Sequence, residues 1–172
     1  MSKPVFFFPA SLLFFLLLSL SCQPKNNTPK STPADESQLI PVTAKDIQAL
    51  VQNAEHEIVL VNVWATYCPP CIAEIPMLVR LKQSKDAPPF TLLLVSADFP
   101  EEVQNARAFL REVGAPLPSY LKNEDDMAFI NGLDPTWNGS LPVNILFYQG
   151  ITQMVWEGII NEEELRELLN KL

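Results

Sequence analysis

Two apolar runs set the fold class before any motif is considered. Residues 58–65 read "IVLVNVWA" and residues 90–97 read "FTLLLVSA". A strand with one face in water alternates apolar and polar side chains, whereas an almost unbroken apolar run needs cover on both faces. Between them, residues 69–85 carry no strand-like alternation and read as a helix. Strand, helix and strand in that order give parallel strands joined by a crossover helix, the unit of a sheet sandwiched between helical layers.

The remaining elements extend this unit. Thr43 and Asp46 stand at capping spacing and open a helix that runs to about residue 54. Residues 100–113 place Val103, Ala106, Phe109, Leu110 and Val113 on one helical face, with Gly114 as the stop. Residues 125–133 form a short helix. Residues 143–148 and 152–158 pair as a hairpin around Gln149-Gly150, and Asn161 caps a last helix with Leu165, Leu168, Leu169 and Leu172 in register. The expected architecture is a three-layer α/β/α sandwich with a mixed sheet.

The first residues belong to another category. After Lys3, residues 5–20 are apolar but fall short of the ~20 needed to cross a bilayer, which fits a secretory signal. The segment ends in "LSLSC", which resembles a bacterial lipobox, although Ser19 stands where that motif usually has Leu. Residues 1–22 are therefore expected to be a signal peptide whose lipobox cysteine, Cys22, carries lipid. Residues 23–38, "QPKNNTPKSTPADESQ", have too little apolar surface to offset ordering and read as a flexible tether. That leaves residues 39–172 as one domain, expected on the extracytoplasmic, periplasmic side of a membrane, where thiols meet an oxidising setting. With 20 acidic against 12 basic residues the net charge is −8, and a partner made of nucleic acid is excluded.

The chemistry lies in "CPPC". The chain has 3 cysteines and 1 histidine. Once Cys22 is set aside, Cys68, Cys71 and His56 cannot close a four-ligand zinc site. Haem attachment needs a histidine after the second cysteine, and Ile72 is there. A structural bridge over so short a loop restrains the unfolded chain little. Redox exchange is the strongest reading left, with no cofactor and no metal. Cys68 is expected at the N-cap of the helix, where the dipole favours a thiolate, and should make the attack. Cys71 lies inward at N3 and should resolve the mixed disulfide.

Trp64-Ala-Thr-Tyr-Cys68-Pro-Pro-Cys71, with Glu74 and Pro76 behind it, resembles the active site of thioredoxin-fold proteins of the TlpA/ResA type, which are membrane-tethered thiol–disulfide oxidoreductases. The resemblance implies a thioredoxin-like sandwich with a β-α element inserted after the active-site helix. It implies a cis peptide bond at Pro142 facing the two sulfurs, and a Leu141 backbone that pairs with an extended client segment. It also implies that Tyr67 flanks the client, that client proteins bring disulfides or thiols, that a membrane partner donates electrons, and that cytochrome c maturation is one setting. Three positions depart from the pattern: Tyr67 replaces a common Trp, Val143 a usual Thr, and Asn62 the buried Asp of thioredoxin proper. The last departure leaves Glu74 as the candidate for proton transfer to Cys71, against a plainer role as a solvated first-turn acid.

Direction and alternatives complete the reading. Pro69 and Pro70 remove two donors from the helix start, so the thiolate should be only modestly stabilised and the protein a reductant. A disulfide oxidase or isomerase of the same fold is the alternative. A copper chaperone is less favoured, since related carriers use a wider cysteine spacing and a distal histidine. A peroxiredoxin-type peroxidase needs Ser or Thr where Ala65 stands. Trp137 is expected to pack, His56 and residues 124–126 to lie at the surface, and Pro76 to kink its helix.

Overall fold

The computed structural model describes residues 39–172, so the signal segment, Cys22 and the tether lie outside the described residues. The strands are β1 (Leu39–Val42), β2 (Ile58–Trp64), β3 (Thr91–Ser96), β4 (Ser119–Lys122), β5 (Val143–Tyr148) and β6 (Ile151–Glu157). The helices are α1 (Ala44–Gln52), α2 (Pro69–Gln83), α3 (Val103–Glu112), α4 (Asp126–Leu133) and α5 (Glu162–Lys171). The sheet order is β1-β4-β3-β2-β5-β6. The first four strands in that order pair in parallel, and β5 and β6 add on antiparallel.

The apolar runs sit where their composition demands. All seven residues of β2 are buried, because β3 and β5 flank it and helices cover both faces. Side chains alternate across the sheet. Leu60, Trp64, Leu92, Leu94 and Leu146 pack with Ile75, Leu78, Leu110 and Leu165, from α2, α3 and α5. Val59, Val61, Val63, Ile145 and Phe147 pack with Ile47, Phe129 and Leu133, from α1 and α4. Gly132 lets α1 and α4 approach closely, since a Cβ there would meet the Ala44 Cβ at 2.6 Å.

The element borders carry the expected chemistry. Thr43 and Asp46 form a capping box, and Asn161 accepts from the Glu164 N–H at 2.8 Å. Gln149 and Gly150 both take positive φ, 50° and 78°, as a tight hairpin turn requires. Between the active-site helix α2 and the hairpin strands the chain runs through β3, α3, β4 and α4. Residues 100–113 divide into a 3-10 turn over Pro100–Glu102 and α3.

One strand escapes the sequence reading. The segment "LIPV" of β1 is short and contains Pro41, which argues against a strand interior. At the edge of the sheet, paired only with β4, a proline is tolerated because its missing N–H has no partner to lose. Trp137 packs as expected, buried edge-on against Phe129, with Nε1 donating to the Ser140 carbonyl. His56 is half-buried rather than exposed. Helix α2 continues through Pro76 to Gln83. Among the described residues, no helix is long and apolar enough to cross a membrane.

Candidate active site

The site is built at the carboxyl end of β2, where the chain leaves the sheet and turns into α2. Cys68 is the N-cap of α2, with Pro69 and Pro70 in the first two helical positions. Proline is well suited to a helix start, since its φ is preset and its absent N–H would be unpaired there anyway. The consequence is that the first N–H available to the cap comes from Cys71, which donates to Cys68 Sγ at 3.3 Å. The two sulfurs are joined as a disulfide, with Cα atoms 5.3 Å apart. Cys68 retains 7% exposure, and Cys71 has none.

The loop before the dithiol is anchored from behind. Asp98 Oδ1 accepts from the Thr66 N–H at 2.9 Å and from the Thr66 hydroxyl at 2.5 Å. Asp98 Oδ2 accepts from the Ser96 hydroxyl at 2.7 Å. The Ala97 N–H donates to the Trp64 carbonyl at 2.7 Å, extending the β2–β3 pairing into the loop. Sequence reasoning passed over Asp98, which sits just past β3 with no motif of its own.

Register places the proline loop at the same end of the sheet. Val63 pairs with Val143 in the antiparallel β2–β5 ladder, so Pro142 and Leu141 come level with Trp64 and the start of the dithiol loop. The Leu141–Pro142 peptide bond is cis. Leu141 packs against the buried cluster that contains both cysteines. The Pro142 carbonyl accepts from the Gly158 N–H at 2.7 Å, tying this loop to the end of β6.

Beside Cys68 the surface is aromatic. Tyr67 is 54% exposed and stacks on Phe99, with ring centroids 5.7 Å apart and planes inclined by 24°. A cleft of about 450 Å³ opens there, lined in part by Tyr67, Asp98, Phe99, Lys122, Trp137 and Leu141. Burial, with Asp98 and Asp126 nearby, pushes the Tyr67 hydroxyl above its ordinary pKa of 10.0.

Glu74 is not a solvated acid. It is 2% exposed, on the inner face of α2 one turn beyond Cys71. Its Oε2 accepts from Asn62 Nδ2 at 2.9 Å, and its Oε1 accepts from Asn144 Nδ2 at 2.9 Å and from the Ile160 N–H at 2.8 Å. Burial lifts its pKa above 4.5, and the three donors oppose that rise. Asn62 thus holds the candidate proton carrier rather than being one. Asn144 was missed, although an amide in the otherwise apolar "VNILFY" was its signal.

The comparisons agree with this geometry. No protein-family model matches the chain. It is 29% identical over 181 residues to the thiol:disulfide interchange protein DsbE of Pasteurella multocida, covering 96% of this chain and 95% of that protein. It is 28% identical over 175 residues to the protein of the same name from Haemophilus influenzae, covering 95% and 92%. Among solved structures, a thiol:disulfide interchange protein of the thioredoxin family from Chlorobium tepidum superposes with a TM-score of 0.57 at 19% identity, covering 72% of this chain and 81% of that one.

Proposed function

We propose that this chain, a TlpA/ResA-like thioredoxin-fold thiol–disulfide oxidoreductase, reduces disulfides of client proteins outside the cytoplasm, held at a membrane by lipid on Cys22 and the tether behind it. In the reduced form the Cys68 thiolate attacks a client disulfide. A mixed disulfide forms at Cys68, and the first client sulfur leaves as a thiolate that takes a proton. Cys71 then gives its proton to Glu74 and attacks Cys68 Sγ, releasing the second client sulfur. Two electrons pass from the dithiol to the client, and the chain is left with the Cys68–Cys71 bond. A membrane dithiol donor returns the two electrons. Apocytochrome c cysteines are one client class that fits this scheme.

The observation that carries the reading is the asymmetry of the two sulfurs. Cys68 reaches the surface beside Tyr67 and the Leu141–Pro142 loop, while Cys71 is sealed. An extended client segment laid against Leu141 brings its sulfur to Cys68 first. The preference for reduction follows from the prolines. With a single N–H on Cys68 Sγ, the thiolate gains little from the helix start, and the disulfide is correspondingly stable.

Equilibration with a glutathione series tests both parts. A reductant should settle nearer the thioredoxin value of about −270 mV than the DsbA value of about −120 mV. A result at the upper end would turn the assignment to disulfide oxidase. Failure of the reduced dithiol to react with any model disulfide would remove the assignment altogether.

A further inference from the structure

The hydrogen bonds around Glu74 all run one way. Asn62 Nδ2 spends one hydrogen on Glu74 Oε2 and the other on Asn144 Oδ1, each at 2.9 Å. Asn144 Nδ2 and the Ile160 N–H both donate to Oε1. Glu74 therefore receives three donors, and Asn62 Oδ1 is left without a hydrogen-bond partner. A buried acceptor left unmatched is unfavourable, so the amide has been oriented for the carboxylate at its own cost.

No other orientation suits a protonated Glu74. Turning Asn62 over sets its oxygen against both Glu74 Oε2 and Asn144 Oδ1. Turning Asn144 over sets two amide nitrogens together. Turning both sets an amide oxygen against each carboxyl oxygen, and a single proton mends only one of those contacts. The arrangement is built into the sheet, because Asn62 and Asn144 are direct partners in the β2–β5 ladder and share one face. From α2, β2, β5 and α5, the other buried side chains on this face are apolar apart from Cys68, Cys71 and the indole N–H of Trp64, and none of them is charged.

We propose that Asn62 and Asn144 are positioning residues that hold Glu74 as a buried carboxylate in the disulfide form, and so set its affinity for the proton it takes from Cys71. The pair acts through Glu74 and touches no client. Only the last part rests on the proton-transfer role proposed above; the hold on the carboxylate stands by itself.

The test follows the Glu74 carboxyl by carbon NMR through a pH titration of the oxidised full chain. Asn144→Ala removes a donor and should move the midpoint upward by about one unit, tenfold in proton affinity. Asn144→Ser restores a hydroxyl donor and should return part of the shift. A midpoint unmoved in Asn144→Ala, or moved equally in both variants, overturns the proposal. Should Asn144→Ala not fold, Asn62→Ala against Asn62→Ser supplies the same comparison from the other strand, with an upward shift expected in the first and a smaller one in the second, and an unmoved midpoint again overturning the proposal. The pH profile of client reduction is read in parallel with Glu74→Gln. An unchanged profile there removes Glu74 from proton transfer while a shifted midpoint still upholds the hold on its charge.

Discussion

The N–H of Cys71 donates to Cys68 Sγ across 3.3 Å, from the third position of a helix whose first two positions are prolines. Each proline deletes a donor that the cap could otherwise receive. Pro70→Ala restores an N–H at the second position, a usual partner of an N-cap side chain. The Cys68 thiolate should then gain about 1 kcal/mol, lowering its pKa by a little under one unit and raising the potential by about 20 mV. Thiolate absorbance against pH and a glutathione titration read the two shifts, and movement of either in the opposite sense contradicts this account of the prolines.

Asp98 holds the dithiol loop to β3 through Thr66 and Ser96. Asp98→Ala should cost about 2–3 kcal/mol, because it leaves Thr66 and Ser96 without a charged partner. Chemical unfolding measures the loss, and alkylation of reduced Cys68 should quicken as its loop loosens. Unaltered stability would show that the loop is held by something else.

Tyr67 and Phe99 stack while both remain largely exposed. A double-mutant cycle with Tyr67→Ala and Phe99→Ala should give a coupling of about 0.5 kcal/mol in urea unfolding, the low end for an aromatic pair. Tyr67→Phe should keep that coupling, since the ring and not the hydroxyl makes the contact. Strict additivity of the two alanine variants would mean that the rings share no energy.

Glu74 makes stability depend on pH in a defined sense. Its folded-state pKa lies above the ordinary 4.5, so between the two values the folded protein keeps a proton that the unfolded chain has released. The stability contributed by this group falls as pH rises from about 4.5 through the raised value, and is level above it. Urea midpoints across that range should show this slope in the parent protein and lose it in Glu74→Gln. Identical slopes in both would exclude Glu74 as their source.

Leu78 lies on the inner face of α2 with no exposed surface. Leu78→Ala should cost about 2–5 kcal/mol through lost burial and the cavity left behind. A thermal melt checks this, and a change within error would mean that α2 can slide to fill the gap.

How much of this was legible in the sequence depends on the range of the interactions involved. The runs of β2 and β3, the capping of α1 and α5, and the Gln149-Gly150 hairpin are written in neighbouring residues, and each lies where local pattern puts it. The dithiol is equally local: Cys68 and Cys71 fall at the cap and at N3 because helix spacing requires it. What stayed hidden depends on partners far along the chain. Glu74 meets Asn144 and Ile160 only after β5 pairs with β2 and α5 closes over them, and nothing near Glu74 in sequence reports that it is buried. Asp98 likewise acquires its role from a loop on another strand. β1 was hidden for a different reason, since Pro41 looks like a breaker until the strand is known to be an edge.

The position of β2 has a dynamic consequence. Among the described strands it is the one buried at every residue, and it has a hydrogen-bonded neighbour on either side. Its amide protons should exchange with deuterium only when the entire sheet comes apart, whereas those of residues 65–68, just beyond it, can be released by small local openings. The reactive sulfurs are thus mounted just past the slowest-breathing part of the molecule, on a short loop whose opening is set by its few bonds to Asp98.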